Sequence, residues 1–490
     1  MLPGVSIVSS EDILPMIATG LLIGALLGVV MQRGRFCVTG MLRDIFLQRS
    51  WRTFVALLIV IAVHAVGIAA LTSAGVIAPE YPTFAPIAVV LGGLMFGIGI
   101  VLAGGCASGT WYRSAEGLVG SWIALIMYAL SAAAMKTGPL TGFAAWMKGW
   151  DTGLTTLPEA LGVSPWLFVV VLVAITVLLV RHFLRKESRL PKPAALGSRP
   201  AWKRPLHFYA AGALIGVLGV IAWPLSAASG RNDGLGITTP SSNLANFVVN
   251  GSGESIDWGV MLVLGLFAGA FLAAKATGEF RVRVPDAKAA TRSVGGGVLM
   301  GVGAALAGGC TVGNGMVQTS LFSFQGWVAL ASIAVGVGLA AKLWLKPSKA
   351  EAARAAGDPE TYSTDDAVED TVDAADGERS RPEGAGVLGG FAAAPAAVAL
   401  KSREGAPSGK LRDLGEGYYA LDSLGAVCPF PLIEAKDVMK TLSRGEHLVI
   451  DFDCTQATEA IPHWAAEDGH EVTDFREQGE ASWQITLRKG

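Results

Sequence analysis

Long, nearly charge-free apolar runs recur along the first two thirds of the chain. They fall at about residues 13–31, 53–73, 86–104, 117–135, 165–184, 207–227, 258–276, 293–309 and 325–345. Roughly 17 to 25 such residues cross a bilayer as one helix, so the pattern predicts nine membrane-spanning helices. A soluble helical protein is excluded because there is too little polar sequence to cover nine apolar helices. Composition agrees: 52% of residues are hydrophobic and only 16% charged, and the 62 glycines suit helices that pack closely in lipid. The first twelve residues have no basic segment before the first run, so no secretory leader is expected.

Basic residues fix an expected orientation, because loops rich in Lys and Arg stay in the cytoplasm. The loop after the fifth run carries Arg181, Arg185, Lys186, Arg189, Lys192, Arg199, Lys203 and Arg204. The loops after the first and seventh runs are also basic, and those after the second and eighth have none. An N-terminus outside and a C-terminus in the cytoplasm follow, with the chain in the cytoplasmic (inner) membrane.

The third and eighth runs end in the same way. One reads Ala103-Gly104-Gly105-Cys106-Ala107-Ser108-Gly109 and the other Ala307-Gly308-Gly309-Cys310-Thr311-Val312-Gly313. A helix that breaks at membrane depth needs protein or a watery cavity around its freed backbone. The fifth run separates the two copies, so the halves, about 10–135 and 205–346, enter the bilayer from opposite sides. Inverted halves with broken helices are a transporter arrangement, with the site near the midplane. Gly34-Arg35-Phe36-Cys37 adds a third thiol beside the basic pair Arg33 and Arg35, which suggests an anion. The second half has no clear copy of it, and its equivalent stretch is expected at Ser229 to Gly234. Residues 1–346 are therefore expected to form a transport domain whose path is lined by Cys37, Cys106 and Cys310 with Gly105, Gly109, Gly309 and Gly313.

Composition changes after residue 346. An acidic, Ala- and Gly-rich stretch over 347–409 reads as a flexible tether. Residues 410–490 alternate strand and helix patterns in the order β-α-β-α-β-β, a small two-layer α/β domain. There Cys428 precedes Pro429, Phe430 and Pro431, at the start of a helix, where a thiolate is favoured and nucleophilic. Cys454 follows a strand and reads equally well as structural or as a second sulfur site. His64, in mid-run, is either a helix-packing or a path-lining residue.

No cysteine spacing resembles a disulfide framework or a zinc site, so neither metal nor cofactor is expected. A thiol is soft and polarizable and donates weakly. It suits an ion with a soft sulfur end, held loosely enough to leave again. No intramembrane carboxylate pair stands out that would hold a coupling ion.

Cys428-Pro429-Phe430-Pro431, Leu421-Asp422, Gly445-Glu446, Ile461-Pro462 and Gly469-His470 resemble the TusA-like (SirA-like) sulfur carriers, over nearly all of 415–490. Asp453-Cys454-Thr455-Gln456-Ala457 is similar to the YeeD branch of that family. Residues 10–346 resemble its membrane partner, the YeeE/YedE family of thiosulfate transporters, so the chain reads as a fusion of the two. The resemblance implies thiosulfate as the cargo, Cys37, Cys106 and Cys310 as its path, and a persulfide on Cys428. It implies the lipid bilayer and cytoplasmic sulfur-acceptor proteins as partners, and no nucleic acid. Another soft sulfur or selenium species, or a membrane-anchored sulfurtransferase, is the alternative.

Overall fold

The computed structural model describes residues 10–189, 203–344 and 411–490, apart from 252, 286, 426–429 and 480. The tether expected over 347–409 and the thiol Cys428 lie outside the described residues. The first part is helical, in the order α1 Ser10–Arg33, α2 Val38–Leu47, α3 Phe54–Ser73, α4 Pro86–Leu102, α5 Ala107–Ala115, α6 Val119–Lys136, α7 Thr141–Lys148, α8 Leu157–Leu161, α9 Pro165–Glu187, α10 Phe208–Ala228, α11 Thr238–Asn250, α12 Trp258–Thr277, α13 Ala287–Ala307 and α14 Phe324–Trp344. A π-helical turn, Gly313–Gln318, separates the last two.

The nine apolar runs become α1, α3, α4, α6, α9, α10, α12, α13 and α14. Among the described residues, eight spans are long and apolar enough to cross a membrane. The ninth, α13, begins with Lys288 and Arg292, which lowers its hydropathy. Two of the eight spans are compound: α1 turns into α2, and α4 breaks before α5.

Contacts between helices repeat when the halves are exchanged. α6 packs on α13 as α14 packs on α4; α1 packs on α12 as α10 packs on α3; α11 packs on α6 as α2 packs on α14. This equates α2 with α11, so the counterpart of Cys37, the residue before α2, is Ile237, the residue before α11. The expected equivalent, Ser229 to Gly234, falls instead in the turn after α10, because α10 ends at Ala228 and the chain needs nine further residues before α11 begins.

Close approach of backbones holds the halves together. A β-carbon on Gly24 of α1 would lie 2.1 Å from the Leu262 carbonyl oxygen, and one on Gly269 of α12 would lie 2.0 Å from that of Ala25. In lipid, association depends on packing of this kind rather than on hydrophobic burial, which favours small residues at the seam. His64 belongs to the same scheme: its imidazole fills a notch at Gly219, where a β-carbon would lie 1.7 Å from Nε2.

The C-terminal domain is a five-stranded sheet with two helices, α15 Phe430–Thr441 and α16 Ala457–Glu467, which also touch each other. The strands are β1 Leu411–Gly415, β2 Tyr418–Ser423, β3 His447–Phe452, β4 Glu471–Gly479 and β5 Ser482–Arg488, in the order β1-β2-β3-β5-β4. Only β2 and β3 run parallel, in register from Tyr418 opposite His447 to Ser423 opposite Phe452. Alternation in β3 sends Leu448, Ile450 and Phe452 into the core with Trp483, Ile485 and Leu487. The sheet has one strand more than the sequence pattern suggested. β1 has no apolar alternation and exists because the Gly415–Gly417 turn folds it back on β2.

Candidate functional site

All three membrane cysteines are buried free thiols at helix starts. Cys37 is the residue before α2, and Cys106 the residue before α5. Cys310 opens the turn into the π-helix, and its sulfur accepts from the Val312 N–H at 3.4 Å. The first glycine of each Gly-Gly-Cys takes a left-handed backbone, with φ +72° at Gly104 and +79° at Gly308. That conformation suits glycine and ends the preceding helix. The chain then turns so that the cysteine begins a new helix.

Neither α2 nor α5 has a side chain capping its N-terminus. In the first turns the Gly40 and Gly109 N–H groups point to the Cys37 and Cys106 sulfurs, and each helix start carries about half a positive charge. The two starts converge at Gly109, where a β-carbon would stand 3.4 Å from the Cys106 sulfur and 3.5 Å from the Cys37 sulfur. The Cys37 and Cys106 thiols hydrogen-bond each other beside this residue without a side chain, each at a helix start, an arrangement suited to an anion at depth.

The sequence-derived glycines separate into two kinds. Gly109 faces the thiols. A β-carbon on Gly105 would instead meet the backbone of Gly109 and Thr110, and one on Gly309 would meet Asn314. Gly313 borders open space. The Gly-Gly-Cys turns are braced differently in the two halves. Arg113 donates to the Gly104 carbonyl. Asn314 donates to the carbonyls of Ala307 and Gly309, at 2.8 and 3.0 Å, and accepts from Gln325 at 3.0 Å.

Cys310 lines a cavity at the end of the membrane domain away from the C-terminal domain, with Lys136, Lys148, Asp233, Thr238 and Gln318. Lys136 hydrogen-bonds Thr239 Oγ1 at 2.5 Å, and burial lowers the pKa of the Lys148 ammonium. Tyr128 donates to Thr238 Oγ1 at 2.8 Å and also faces Cys310. Sequence reasoning missed these residues. The lysines end helices like any surface lysine, and nothing in the local sequence ties them to a cysteine more than 160 residues away.

Arg33 and Arg35 lie at the other end, and they are engaged. Both pair with Glu279, at 3.6 and 3.3 Å, and Arg35 donates to Thr458 of the C-terminal domain. That domain is further held by Arg283 on Asp453 at 3.5 Å, Arg283 on the Ala481 carbonyl at 3.3 Å and Lys186 on Glu467 at 2.9 Å. Cys454 is buried and disulfide-bonded, and it lines two cavities at this junction. One cavity also contains Cys37. The other is basic, with Arg43, Arg113, Arg283 and Arg292 against Glu116 and Asp453.

Comparison with known proteins covers both parts of the chain. Residues 33–339 match the family profile described as Sulphur transport, and residues 419–489 that described as Sulfurtransferase TusA. The thiosulfate transporter TsuA of Escherichia coli is 46% identical over 339 residues, 68% of this chain and 96% of the relative. The thiosulfate transporter TsuA of Spirochaeta thermophila is 32% identical over 64% of this chain and 94% of its own length. The putative sulfur carrier protein TsuB of Escherichia coli is 59% identical over 69 residues, 14% of this chain and 92% of that protein.

Proposed function

Since this multi-pass membrane chain belongs to the Sulphur transport family and ends in a TusA domain, we propose that it imports thiosulfate and hands it to its own carrier domain. The observation that carries this reading is the cavity shared by Cys37 and Cys454: the last thiol of the path opens onto the carrier.

Thiosulfate enters at the Cys310 cavity, where Lys136 and Lys148 attract its charge and the thiol meets its soft sulfur. It passes to Cys106 and Cys37, where the starts of α5 and α2 stand in for cations. The junction then delivers it to the carrier in the cytoplasm. There the Cys428 thiolate attacks the outer sulfur, the sulfur–sulfur bond of thiosulfate breaks, and sulfite leaves with the bond's electron pair. Cys428 holds the persulfide. Cys454, beside the exit, is disulfide-bonded here and serves as a second thiol only after a dithiol reductant has opened that bond, giving up two electrons to it and leaving oxidised itself.

The test is uptake of labelled thiosulfate by cells that lack their own importer. Cys106→Ala and Cys310→Ala are each expected to abolish uptake, with Cys37→Ala strongly impaired, at unchanged membrane expression. Undiminished uptake by Cys310→Ala would remove the thiol path. Competition by unlabelled selenite or sulfide, stronger than by thiosulfate, would reassign the cargo.

A further inference from the structure

Gln32, Glu116 and Glu279 meet at the carrier end of the path, from the last turn of α1, the turn after α5 and the loop after α12. Gln32 Nε2 donates to Glu279 Oε2 at 2.7 Å and to Glu116 Oε1 at 3.3 Å. All three residues are buried, with 0%, 4% and 1% exposure. Gln32 Oε1 is buried and has no hydrogen-bond partner among the described residues. A buried acceptor without a donor is costly, and two carboxylates on one amide repel each other. Turning the amide over would present Oε1 to both carboxyl groups, which suits them only when a proton is there to share.

Charges face this group from every side. Arg33 and Arg35 pair with Glu279. Arg113 and Arg283 face Glu116, and Tyr112 lies beside Arg113. Arg281 neighbours Arg283, Asp453 of the carrier pairs with it, and the Arg204 carbonyl accepts from Arg33. Burial, and after it the Glu279 charge, pushes the Glu116 carboxyl up to about 7.

We propose that Glu116 and Glu279, bridged by Gln32, form a proton-binding site linked to anion binding at the Cys37–Cys106 pair. Two arginines connect it to that constriction: Arg113 braces Gly104, two residues before Cys106, and Arg35 lies two residues before Cys37. With both carboxylates charged, the arginines are largely neutralised. A proton on the pair leaves their positive potential for an incoming dianion. By linkage the anion must in turn raise the affinity for the proton. The sign follows: a carboxyl raised toward 7 is protonated below that pH, so anion affinity is highest there. Above it, the dissociation constant rises by up to about tenfold per pH unit for one linked proton. A dianion that binds with a proton also moves less net charge against an inside-negative potential.

The linkage rests on the transport reading above, and calorimetry of thiosulfate binding to the whole detergent-solubilised chain carrying Cys428→Ser, in which no sulfite is released, separates the two. Titrations near pH 7.5 in HEPES and in Tris, whose protonation heats differ, are expected to give different heats, from net proton uptake of between zero and one per thiosulfate. Glu116→Gln should abolish the difference and flatten the pH dependence. Gln32→Met, which leaves both carboxylates in place, should change the proton number and provides the test should Glu116→Gln fail to fold. Thiosulfate binding with equal heats in both buffers overturns the linkage alone, whereas no thiosulfate binding overturns the transport reading and the linkage with it. Binding that requires sodium would reassign the carboxylates to a metal cation.

Discussion

A β-carbon on Gly109 would stand at ordinary contact distance from both inner sulfurs, 3.4 Å from Cys106 and 3.5 Å from Cys37. The fold therefore accepts a methyl group there, but the space beside the thiol pair does not remain open to an ion. Gly109→Ala is expected to cut thiosulfate uptake by on the order of tenfold, with thermal stability unchanged. Gly105→Ala should transport normally, since its methyl would point at the α5 backbone. Uptake assays on both variants check the assignment, and equal loss in both would show that the motif matters for helix geometry rather than for passage. The sequence shows the three thiols plainly because each stands in a motif that breaks an apolar run. It does not show which motif glycine faces the path, since Gly105 and Gly109 differ only in where the turn at Gly104 directs them. Nor does it reveal Lys136, Tyr128 or Glu116, which gain meaning only from residues brought in by other helices.

Helix α1 meets α12 with backbones so close that a side chain has nowhere to go. Gly24→Leu and Gly269→Leu should each destabilise the membrane domain by about 1–3 kcal/mol or more. Melting of the detergent-solubilised chain should show it, and Gly142→Ala in α7, where nothing lies within 4 Å, should leave melting unchanged. At this scale the apolar runs map onto nine helices, because length and hydropathy are local properties. The short helices α2, α5 and α11 are hidden in the sequence: each continues or re-enters beside a longer apolar element and is too short to span the bilayer. The mirrored packing makes Ile237 the counterpart of Cys37, an equivalence that no shared residue marks in the sequence.

For the whole molecule, the energetics of a dianion decide what the fused carrier is for. Each negative charge moved inward against 100 mV costs about 2.3 kcal/mol, so thiosulfate faces a bias of roughly a thousandfold against accumulation. A passive thiol path would leave most of it outside. On the proposed reading, consumption at the exit would remove the ion as it arrives. Cys428→Ala is therefore expected to preserve the initial rate of uptake while lowering the plateau of retained label several-fold. A time course of uptake checks this, and an unchanged plateau would mean that accumulation does not depend on the carrier. The α/β character of the carrier is legible from its alternating strands, and the basic loops suggest the face on which it sits. Its docking is not legible, since Arg283 on Asp453 and Arg35 on Thr458 join residues with no sequence signal in common.

Cys454 stands in the wall of both junction cavities, and one chain supplies one such wall. Doorway and receiver are thus produced in a fixed ratio of one to one, unlike two separate proteins whose numbers drift with expression. On the proposed reading, a receiver still loaded with sulfur stops trapping what its own doorway admits, so the cell's demand for sulfur would set how much each chain retains, without a separate sensor.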